Sequence, residues 1–566
     1  MANGHGANGT TKYYDLGKYQ RTCRTDSTEA LKWVNRGLVW SYSFNHEAAL
    51  RCFEQAAQDD KKCAMAYWGQ AYAISPNYNK PWWLFTADER EIAIKKALEV
   101  FALAEENVTD FEPMERALLT ALATRFPPDV NTPGEKMSAF DYAYAEAMKK
   151  VYEEYGDDPD VATLYADSVM CTRPRQLWNL DTGEPTGDDV VAARHALEKA
   201  MASASGRENP GTCHLYIHMM EMTLTPELAL PAANRLRRLV PDGSHMQHMA
   251  THIDVACGDY GRAIDSGLNA IISDDVYFSR EKVDSFIYNA YRAHNVHAMS
   301  YAAMMAGRRE EALYGAKRLG EILTEEYMTS KPRMADWTEW QAVTMPHVLI
   351  RFGQWEDILD LQPPKNPKLS VIATTIKYAK GIALAVLGRI EEAQIAQAEF
   401  EEARRALPED RLYGPSSKAA PVFAIASAML EGELQYRQGN YTEAFASLRH
   451  GIELEGQIAY ADPPLWMQPV RHALGALLLE QGQTVESEKV YLEDLGLSKT
   501  LSRRKARLNN VWALHGLYEC LIANNKHEEA QRLRIHRDIA LASADIPIGA
   551  SCFCRLKVKA KTCKAC

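Results

Sequence analysis

Two histidine pairs recur in this chain at an offset of 34 residues: His214/His218 and His248/His252, each spaced i, i+4. An i, i+4 pair shares one face of a helix. An interval of 34 residues is the length of one helix–turn–helix repeat. The two observations together demand successive repeats that present the same face, so the chain must be largely helical and periodic. Seven of the sixteen histidines fall between His214 and His297.

Turn-then-Glu-Ala steps extend the periodicity: GDYGRAI (258–264), GRREEAL (307–313), GQWEDIL (353–359), GRIEEAQ (388–394), GNYTEAF (439–445) and NNKHEEA (524–530). Each step is expected to open the second helix of a pair, its small residue letting two helices approach closely. Runs such as 89–108 and 390–407 carry apolar residues at three- and four-residue spacing, and alternating strand patterns are nearly absent. The expected fold class is all-α, a tetratricopeptide (TPR)-like α-solenoid closing into a superhelix. The loops 126–136, 173–189 and 406–421 interrupt it without forcing separate domains. The expected organisation is a flexible segment over 1–25, a helical-repeat domain over 26–545 and a Cys/Lys-rich tail over 546–566.

Taking the Ala of each step as a ruler, Ala229 aligns with Ala263 and then with Ala312, the last interval holding a fifteen-residue insertion. Applied to the histidines, the ruler gives three stripes at i, i+3, i+7: Gly211/His214/His218, His245/His248/His252 and His294/His297/Tyr301. First helices line the concave side of such a superhelix, and packed helices lie roughly 8–10 Å apart, so imidazoles from two of them can reach one ion. Neutral imidazoles suit copper, zinc, iron or nickel. The candidate metal ligands are His214, His218, His245, His248, His252, His294 and His297. They form either one mononuclear site with supporting histidines or a dinuclear centre with about three imidazoles per ion, the copper-like arrangement. Glu221, at i+7 from His214, is a candidate ligand or base, and Tyr301 a candidate proton donor or base. Asp254, two residues after His252, points to another face. Cys213 and Cys257 read equally as ligands or as small core residues. Tyr78, Trp82, Trp83, Trp178 and Trp466 are either pocket walls or core aromatics.

The net charge of −11 argues against a nucleic-acid partner. No run reaches eighteen apolar residues, and the polar start MANGHGANGTTKYYDLGKY lacks a secretory core, so a cytoplasmic location is expected. Ala2 excludes N-myristoylation. Seven cysteines are scattered and four crowd the end at Cys552, Cys554, Cys563 and Cys566, which reads as free thiols, a metal-binding or acylated tail, or a mobile solvated one, with Lys564 arguing against prenylation. P-loop, GxSxG and HExxH motifs are absent.

The segments NPGTCHLYIHMMEM, ALPAANRLRRLVPDGSHMQHMATHI, AHNVHAMSYAAMMAGRREEAL, RPRQLWNLDTGEP and PPLWMQPVRHALGALLLEQG resemble large TPR-fold proteins of bacteria and fungi, over about residues 30 to 530. Ser244 and Ala250 depart from that pattern's usual Gly and Pro, at helix entry. The resemblance implies a TPR-like fold and a metal site on the seven histidines. Three functions follow as expectations. The first is a metal-dependent enzyme, oxidative, acting on a small molecule, with copper favoured and zinc or iron as alternatives. The second is a TPR adaptor gripping a protein partner in its concave groove. The third is a metal that only staples the solenoid.

Overall fold

A computed structural model of the chain describes residues 13–283, 286–498 and 500–556. Among them every regular element is helical, with three isolated β-bridges and no strand. The steps read from the sequence start helices where expected: Tyr260–Arg280, Arg309–Ile322, Trp355–Leu359, Ile390–Ala406, Tyr441–Gly456 and His527–Ser543. The turn before each one has a physical signature. Gly258 (φ +76°) and Gly307 (φ +74°) take the left-handed conformation that closes a helix C-terminus, and Asn525 (φ +59°) substitutes for glycine in the last step. The small residue then does what packing requires, for Ala263, Ala312, Ala393, Ala444 and Ala530 are all at most 1% exposed. The step at Trp355 yields only five helical residues, because the following Gln-Pro-Pro segment cannot continue a helix.

The solenoid closes on itself. The segment 500–512 reaches back across the centre: Ser502 donates to the Leu180 carbonyl, Arg503 pairs with Glu227, and the Trp512 indole N–H donates to the Met304 carbonyl at 2.7 Å. The three histidine-bearing helices are therefore interior elements. Every residue of Pro210–Met220 is buried, as are Ser244–Cys257 except Val255 and Cys257.

The described parts of the two terminal segments, 13–25 and 546–556, are tied to the body of the fold, while residues 1–12 lie outside the described residues. Residues 13–25 strap the surface: Trp40 donates its indole N–H to the Tyr13 hydroxyl (3.0 Å), and Arg21 pairs with Asp158 (2.8 Å) and Asp160 (2.9 Å). Charge pairing and aromatic packing hold a stretch whose Gly/Asn-rich beginning suggested mobility. After the last helix, Ile548, Ala550, Ser551 and Cys554 are buried, and Ser551 Oγ donates to the His472 carbonyl at 2.9 Å. Cys552 and Cys554 are paired as a disulfide, a correction to the expectation of free thiols, a metal-binding tail or an acylation site at these two positions. The seven scattered cysteines are free, as expected. The lysine cluster that suggests a solvated tail begins at Lys557, so it and the expectations for Cys563 and Cys566 lie outside the described residues. No helix among the described residues is long and apolar enough to cross a membrane.

Candidate metal centre

Local sequence sets up the histidine helices. Asn209 caps the first, accepting from Thr212 N (3.1 Å), and Pro210 at its first position supplies a preset φ. Gly211 opens this stripe where the next two helices have histidine, because the Tyr42 ring occupies the place: a Cβ there would stand 2.6 Å from it.

Six of the seven predicted histidines gather into two adjacent groups, His214/His218/His245 and His248/His252/His294, and the second also contains Asp462. Within each group one potential ligand atom per residue lies within 4.8 Å of the others. Ring centroids of His218 and His252 are 5.5 Å apart, and those of His245 and His248 are 5.8 Å apart, so the groups adjoin. The groups do not follow the helices: His245 leaves its own helix-mates and joins the pair from the preceding repeat.

His297 does not join them. It lies outside both groups, its ring packed edge-on against Trp340 (4.7 Å) and near the buried His347. Three residues after His294, it sits about 60° short of a full turn, enough to aim it at the next layer of helices. Tyr301 is also apart from the imidazoles. It is bonded to Arg507 on the wall of a cavity that His252 shares. Asp254 faces away, as expected, and pairs with Arg237.

The first group has a distinctive pattern of satisfied and unsatisfied nitrogens. His214 Nδ1 is bonded to the Tyr42 carbonyl (2.6 Å) and His218 Nδ1 to Glu221 Oε1 (2.8 Å). The Nε2 atoms of both, and both nitrogens of His245, are buried without a partner. In the second group His252 Nδ1 is bonded to Glu221 Oε2 (2.5 Å) and lies 3.3 Å from Asp462 Oδ2, while its Nε2 is 3.0 Å from His248 Nε2. Glu221 is thus shared, one oxygen to each group, and its Oε2 also accepts from the Tyr460 hydroxyl at 3.0 Å. These three bonds leave Glu221 placed to orient imidazoles.

Burial and mutual repulsion hold His214, His245, His248 and His294 well below the ordinary imidazole range, so they are neutral. Burial also lowers His218, partly offset by Glu221. His252 differs: burial opposes its charge, but the Asp462 and Glu221 carboxylates outweigh this and lift it to about 9. Burial opposes ionisation of Glu221 too, yet His252 and His218 keep it well below the usual carboxylate range. Neutral His214 and His218, each with its Nδ1 fixed, are in the ligating form, whereas His252 would have to give up a proton to bind an ion.

Asp462 and Tyr460 escaped the sequence reading. They come from the loop 457–469, more than 150 residues after the lattice ends at Tyr301, and nothing in their spacing refers to it; ADPPLW marks only an irregular turn. The aromatics divide. Trp466 lines the cavity beside His252, and Tyr78 packs 4.7 Å from His218. Trp82 and Trp178 are core, and Trp83 is 59% exposed. Cys213 is fully buried away from the metal groups, and Cys257 is also outside them.

No family model matches the chain. No curated protein matches it either. Solved structures similar to it include yeast Tom70 (12% identity, 91% of this chain and 92% of that one, TM-score 0.28). Others are the APC/C hetero-tetramer Cut9–Hcn1 (14%, 90% and 76%, TM-score 0.31) and a human IFIT1 dimer with m7Gppp-AAAA (13%, 91% and 100%, TM-score 0.33). Likeness this loose carries no argument about function, and the fold class rests on the helices themselves.

Proposed function

We propose that the chain is a metal-dependent enzyme acting oxidatively on a small molecule. Two ions would sit side by side, one on His214, His218 and His245, the other on His248, His252, His294 and Asp462. One observation carries the reading. Four buried imidazole nitrogens in the first group have no partner, while the opposite nitrogens of His214 and His218 are engaged by a carbonyl and a carboxylate. A buried polar atom left unpaired costs about 1–3 kcal/mol. Four in one place are tolerable when something joins them, and the engaged Nδ1 atoms fix the tautomers that direct Nε2 lone pairs inward.

Imidazoles without a thiolate favour copper, with zinc or iron as alternatives. Paired copper ions supply two-electron redox chemistry when bound. The chain's own groups have separate roles. Glu221 orients one histidine in each group. Tyr301, kept protonated by burial despite the lowering effect of Arg507, is the proton donor on the cavity wall. The cavity, about 150 Å³, adjoins the second group at His252 and Asp462 and admits the substrate.

An adaptor role remains a second reading for a helical-repeat scaffold. The histidine helices are almost wholly buried, so a partner protein would dock on other surfaces.

The test is oxygen uptake by copper-loaded and zinc-loaded protein with a panel of small phenols and aromatic acids. Uptake that needs copper and is lost in His218→Ala and in His248→Ala supports the proposal. Uptake independent of either histidine, or none with any metal, counts against it; a stoichiometric protein partner on metal-free protein favours the adaptor.

A further inference from the structure

The cavity beside His252 and Asp462 has more cationic than anionic walls. Arg471, Arg504, Lys505 and Arg507 line it, against Glu455 and Asp462. Three of the cations are already matched. Arg507 pairs with Glu455 and with Asp494 (3.1 Å), Lys505 with Asp181 (2.6 Å), and Arg471 with Glu493 (3.5 Å). Arg504 has no carboxylate within ion-pair distance among the described residues. Its Nη2 donates to the Tyr460 hydroxyl (3.3 Å), its guanidinium lies 5.3 Å from the Tyr460 ring centroid, and its Nε is buried without a partner. Asp462, the acid of the neighbouring wall, is engaged with His252.

The rest of the wall is aromatic and apolar, with Tyr260, Tyr460 and Trp466 beside Val255, Ile458 and Leu465. A partly open space of about 150 Å³ is enough for one benzene ring. A single unmatched guanidinium suits one planar carboxylate, which it can hold through two parallel N–H bonds. A phosphate would draw on several cations, and the others here are committed.

We propose that this cavity binds a single-ring aromatic carboxylate, its carboxylate on Arg504 and its ring against Tyr460 and Trp466, facing the His252 end. This rests on the function proposed above, since the metal groups supply the reason for a substrate to lie there. A hydrogen-bonded chain ties the two together: Arg504 to Tyr460, Tyr460 to Glu221, and Glu221 to His218 and His252.

The test is calorimetric titration of the full chain with benzoate, benzamide and inorganic phosphate, alongside metal analysis and thermal melting of each variant. Benzoate should bind. Benzamide, isosteric but uncharged, should bind roughly 10- to 100-fold more weakly. Arg504→Met should lose benzoate affinity by a similar factor, and Arg504→Lys, which keeps the charge without the fork, should fall between, with metal content and melting unchanged in both. Equal binding of benzoate and benzamide, full affinity in Arg504→Met, or phosphate preferred to benzoate would each overturn the proposal. Metal-loaded protein that ignores benzoate refutes this inference and leaves the metal reading standing. Arg504-dependent benzoate binding by a chain that takes up no metal supports the inference and removes the metal reading.

Discussion

Replacing Glu221 with Gln changes one atom and should unbalance both metal groups unequally. The carboxylate accepts from two imidazole N–H groups at once, His218 at 2.8 Å and His252 at 2.5 Å, and it is 2% exposed, so water cannot replace it. A glutamine offers one acceptor and one donor. Its NH2 would face the Nδ1–H of one histidine, and that ring must shift its proton to Nε2 or turn away. Either response removes one imidazole from one group and leaves the other group intact. Loss of an orienting carboxylate costs roughly 10- to 100-fold in metal affinity, or about 1.4–2.8 kcal/mol. Competition titration with a chelator of known affinity reads both sites. Two sites that bind equally in the native chain should become one near-native and one weakened site in Glu221→Gln. Two sites that both stay within about threefold of native would refute the shared-carboxylate reasoning.

Asp462→Asn should weaken the second site and spare the first, because only the second group contains this carboxylate; the same titration checks it, and equal loss at both sites would contradict the division into groups. Gly69→Ala should destabilise the fold by about 2–3 kcal/mol, since the new Cβ would stand 2.2 Å from the Phe53 ring, which also lies against Gly37. Gly261→Ala, in a helix with nothing within 4 Å, is the clash-free control and should be unchanged or slightly more stable; denaturant midpoints compare the two. Acid should destabilise the protein below pH 6.5. Burial holds His46 and His472 down to about 4 and His347 to about 3, the carboxylate of Asp494 opposing this at His472. Their folded pKa values lie below the unfolded value, so the unfolded chain takes up protons first. The stability they contribute is nearly complete above about pH 7 and is lost progressively as pH falls towards 4, about 4 kcal/mol for the three by pH 5.5. Melting curves across that range check it, and a flat profile would contradict the neutral burial of these rings.

The fold was legible because its signals are local. A residue that takes positive φ, followed by a helix with a small residue at a fixed offset, recurs often enough to define the repeat without any long-range information. The lattice was legible for the same reason, as the 34-residue echo is a property of two adjacent repeats. What the repeat could not supply is the third dimension between layers. His245 pairs across helices with His214, and His297 turns toward Trp340, because packing of side chains, and not periodicity, decides which neighbour a ring meets. Asp462, Tyr460 and Arg504 are supplied by irregular segments that fold back from the closing end of the solenoid. Their sequence carries no period to align. Composition near the ends also says little about neighbours such as Tyr13 and Ile548, which pack on the core.

The metal content of the purified chain tests the central claim most directly. Elemental analysis, with a paramagnetic spectrum to identify copper, should find about two ions per native chain. It should find about one in His214→Ala/His218→Ala and about one in His248→Ala/His294→Ala, all three folded by melting. A native chain that takes up no stoichiometric metal when incubated with copper, zinc or iron, or double variants that keep both ions, would contradict the account.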